Sequence, residues 1–73
     1  MVKSIAMATR NYARGALRVF LEGKKNLNWV LGMIRSSGVR GPELAEIFQG
    51  IKSYSAMDRY QEALAACRDQ GWL

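Results

Sequence analysis

Apolar residues recur at three- and four-residue steps in four separate stretches of this chain, a pattern that predicts four helices and no sheet. The clearest stretch is the last. Met57, Tyr60, Leu64 and Cys67 form one stripe, Ser55 followed by Asp58 supplies an N-cap, and Gly71 supplies a stop. Trp72 and Leu73 lie beyond that glycine and are expected to fold back on the last turn. The opposite ridge carries Asp58, Glu62 and Asp69. This helix, over 55–70, is the longest segment with a cap, a stripe and a stop, and the rest of the chain is expected to assemble around it.

The first stretch, 4–22, reads as a basic amphipathic helix. Ile5, Ala8, Tyr12, Ala13, Ala16, Leu17, Val19 and Phe20 fill one arc, Lys3, Arg10, Arg14 and Arg18 line the other, and Gly23 is placed to end it. Lys24 and Lys25 connect it to Asn26, which is placed to cap a helix over 27–36. That second helix is apolar on two sides, with Leu27, Val30, Leu31 and Ile34 on one and Trp29 and Met33 on the other. The second side is either covered by the first helix or open to a partner. Ser36 to Gly41 reads as a loop, and Pro42 opens a third helix over 42–49 that buries Leu44, Ile47 and Phe48 and stops at Gly50. Leu17, Phe20, Leu31, Ile34, Leu44, Phe48, Tyr60 and Leu64 are expected to share one core.

Charge divides the chain more sharply than its net +5 suggests. Residues 1–40 hold eight basic side chains against Glu22 alone, a net +7, and residues 41–73 hold three against five acids, a net −2. Long-range attraction to nucleic acid, an anionic membrane or an acidic protein is therefore expected to act through the first half. With 73 residues the chain makes one domain, a basic helix over 1–23 followed by a three-helix core over 27–73. A core this small sits near the stability limit. There is no His, and Cys67 is a lone cysteine, so neither a disulfide nor a Cys/His zinc site is available within the chain. Self-association is the expected supplement. No apolar run reaches membrane-spanning length and no export leader is evident, so the expected setting is reducing and cytoplasmic.

Residues 27–73 resemble the three-helix core of winged helix-turn-helix proteins. ELAEIF, Glu43 to Phe48, stands in the place of that family's second helix, and YQEALAACRDQGWL, Tyr60 to Leu73, where its third helix runs into a glycine and two apolar residues. The resemblance implies a helix-turn-helix-like C-terminal part without a wing, since the chain stops where the wing would begin. The turn between those helices is several residues longer than the family's. The ridge that would enter the major groove carries Asp58, Glu62 and Asp69, which phosphates repel. Lys52, Ser53, Tyr54, Ser55 and Arg59, at the start of that helix, are the candidate nucleic-acid contacts.

No catalytic constellation is visible: there is no nucleophile motif, no paired carboxylates, no Gly-rich phosphate loop after a strand and no metal-ligand cluster, and no cofactor is implied. GVRG, Gly38 to Gly41, is a loop whose amides could reach an anion at the next helix. By chain type the sequence is similar to the small antirepressors and host-takeover factors of phages and prophages. That likeness implies a non-enzymatic regulator that binds another protein, such as a transcription regulator. In this reading Arg10, Arg14 and Arg18 steer the partner, while Trp29 and Met33 anchor it or join copies of the chain. The alternative is a nucleic-acid-binding protein using the arginine ridge, and a third reading places the first helix on a membrane surface.

Overall fold

The computed structural model describes residues 2–52 and 57–73, with side chains from residue 9 onward. Among the described residues there are four α-helices and no strand: α1 Val2–Leu21, α2 Leu27–Ser37, α3 Gly41–Ile51 and α4 Met57–Asp69. The protein is thus an all-α bundle of short helices, as the apolar spacing predicts. The readings placed on Ser53, Tyr54 and Ser55, including the turn that the helix-turn-helix resemblance concerns, lie outside the described residues, as do those on the side chains of Lys3, Ile5 and Ala8.

Each helix boundary has a local cause. Asn26 Oδ1 accepts the Trp29 backbone N–H at 2.9 Å, satisfying one of the donors that the first turn of α2 leaves open. α1 and α4 end in the same way. Gly23 adopts φ 83° and Gly71 φ 79°, a left-handed conformation that costs glycine little. Past these turns, Lys24 N–H donates to Val19 O at 3.3 Å and Trp72 N–H to Cys67 O at 3.0 Å, the six-to-one bond of a Schellman motif. α3 departs from expectation, because it continues through Gly50 to Ile51 instead of stopping. Ile51 is buried. Keeping it on the core stripe with Leu44, Ile47 and Phe48 requires one more helical residue, and that burial outweighs the modest helix penalty of glycine.

The organising element is α1, not the last helix. Ala13, Ala16, Leu17, Phe20 and Leu21 fall at i, i+3, i+4, i+7 and i+8, all are buried, and α1 packs against each of the other three helices. The two alanines let neighbouring helices approach closely. α4 buries Tyr60, Ala63 and Cys67, two of which are small, while Leu64 is half-buried and Met57, expected on the stripe, is 51% exposed. Tyr12, expected in the apolar arc of α1, is 46% exposed. Of the eight expected core residues, Leu31 and Leu64 pack on the edge of the core and the others lie within it. Phe48 and Tyr60 meet edge to face, with centroids 5.8 Å apart, and join α3 to α4.

α4 is also attached just beyond its own end. The Schellman turn aims Trp72 back into the core, where it is buried while Leu73 stays exposed. The guanidinium of Arg40 lies 4.4 Å from the Trp72 ring centroid and that of Arg35 lies 5.6 Å away. Arg40 also donates to the Ile34 and Val39 carbonyls at 3.2 and 2.8 Å, so one side chain caps α2 and covers the indole. The Gly41 N–H donates to Trp72 O at 2.6 Å. The GVRG loop is accordingly fixed to the end of the chain, and its Gly41 amide is engaged within the protein.

Two stability measurements test this packing. Trp72→Ala is expected to lower the unfolding free energy by about 3–5 kcal/mol in urea titration, whereas Leu73→Ala should stay within about 0.5 kcal/mol of the parent. Comparable small losses for both would remove Trp72 from its place in the account. Gly15 lies inside α1 with open space where a Cβ would stand. Gly15→Ala should therefore raise stability by about 0.5–1 kcal/mol, read as a higher Tm, and a fall would show that the glycine serves packing.

Candidate interaction surface

The arginine ridge of α1 is not a bare cationic face. Arg10, Arg14 and Arg18 follow at four-residue steps and so align along the helix, next to α3. From α3 come Glu43 and Glu46, three residues apart. Arg10 Nη2 meets Glu43 Oε2 at 2.9 Å, with both side chains about 40% exposed, a pairing worth roughly 0–1 kcal/mol. Its consequence is geometric more than energetic, since it ties one end of the ridge to α3. Beyond that pair lies a groove of about 300 Å³ lined by Arg14, Arg18, Glu46, Ile47, Gly50 and Ile51.

Trp29 and Met33 belong to another side of the molecule. Both are half-buried and pack on the core. Lys25 Nζ sits 5.7 Å from the Trp29 ring centroid, and the Tyr12 hydroxyl donates to Met33 Sδ at 3.2 Å, so α1 covers part of that seam. Tyr12 and the arginine ridge leave α1 on opposite sides, which separates the two sets of expected partner-binding residues.

Of the candidate nucleic-acid contacts, Lys52 is exposed just past α3 and Tyr54 lies outside the described residues. Arg59 is occupied: its Nη1 donates to Phe20 O at 3.1 Å and its guanidinium lies 4.9 Å from the Phe20 ring centroid. It closes the end of α1. Asp58, Glu62 and Asp69 stand on the outer ridge of α4, all exposed, and none has an ion pair among the described residues.

Sequence reasoning missed the facing of Glu43 and Glu46 to the arginine ridge and the closure of Arg35 and Arg40 on Trp72. A Glu spacing of three on an α-helix was the available signal for the first. The pairing partner, 33 residues away in the case of Arg10 and Glu43, is set by how α1 and α3 pack and is not written locally. Compared with protein-family models, curated proteins and solved structures, the chain finds no match. Among the described residues, no helix is long and apolar enough to cross a membrane.

Cys67 is fully buried on the inner stripe of α4. Desolvation pushes its thiol up from the ordinary 9.0 to about 11, against an opposing pull from the Arg40 guanidinium. A thiol held neutral in the folded chain stabilises it below the unfolded value, and that contribution is lost as pH rises from 9 towards 11. Unfolding free energy should therefore decline over that window, and Cys67→Ala should flatten the decline. Ellman titration at pH 8 should find the thiol unreactive until the protein unfolds; prompt reaction of the folded protein would contradict its burial.

Proposed function

We propose that this protein is a small non-enzymatic regulator that works by binding another protein, with the α1–α3 groove taking an acidic segment of the partner. The observation that supports this most strongly is the mixed lining of the groove. Guanidinium groups hold carboxylates in a bidentate fork, and Glu46 adds an acceptor on the opposite wall. A nucleic-acid backbone presents unbroken negative charge, which Glu43 and Glu46 beside the ridge and Asp58, Glu62 and Asp69 on α4 all oppose. Three guanidinium groups against two carboxylates leave the α1–α3 face only weakly cationic.

Electrostatic steering by the arginine ridge would set the rate and salt dependence of encounter. The likeness in chain type to phage antirepressors narrows the partner to a transcription regulator in a cytoplasmic setting. Arg10→Gln, Arg14→Gln and Arg18→Gln together should leave helicity unchanged, because Gln is a good helix former, while abolishing capture of a protein partner from nuclease-treated host extract. Binding that needs intact nucleic acid, or a mobility shift of DNA or RNA that collapses steeply with salt, would favour the nucleic-acid reading instead.

A further inference from the structure

We draw no further inference here: the strongest candidate, the half-open apolar seam of Tyr12, Trp29 and Met33 where α1 meets α2, carries nothing because nothing in the structure shows what covers it.

Discussion

The closure of Trp72 onto the α2–α3 corner is the interaction on which the rest of this fold depends. Along α4 itself the buried side chains are Tyr60, which meets Phe48 edge to face, and the small Ala63 and Cys67, while Arg59 bonds the Phe20 carbonyl. A buried tryptophan removes about 150–250 Å² from water, which at about 25 cal/mol per Å² gives an upper figure of about 4–6 kcal/mol. The Gly71 turn aims the ring, Arg40 covers it while capping α2, and the Gly41 amide fixes the backbone beside it. One side chain therefore links the end of the chain, the end of α2 and the start of α3.

That closure also decides where charge is spent. Arg35 and Arg40 are turned to Trp72, Arg59 to the Phe20 carbonyl, and Arg10 to Glu43, so much of the basic character visible in composition serves as capping and covering within the molecule. Arg14 and Arg18 line the groove between α1 and α3, and a row of carboxylates follows α4.

Much of this was legible in local spacing. The Asn26 cap, the Gly23 and Gly71 stops and the apolar stripe of α1 follow from rules that act within one or two helical turns, and the sequence carries them openly. Gly50 misled because a glycine near a helix end signals termination, while the burial of Ile51 depends on a core assembled from other helices. Met57 misled for a related reason: it keeps the stripe spacing, but it lies at the first turn of α4, where the side chain runs out past the core. The groove was half visible, as an arginine ridge without the glutamates that face it. Long-range pairing of this kind is fixed by tertiary packing, which a single sequence does not encode in any local signal.

The frame closed by Trp72 is tested most directly by native-state hydrogen exchange followed by amide NMR. The Gly41 amide, bonded to the Trp72 carbonyl, is expected to be protected to near the global stability. Rapid exchange at Gly41 in the folded protein would contradict the closure of Trp72 onto the α2–α3 corner.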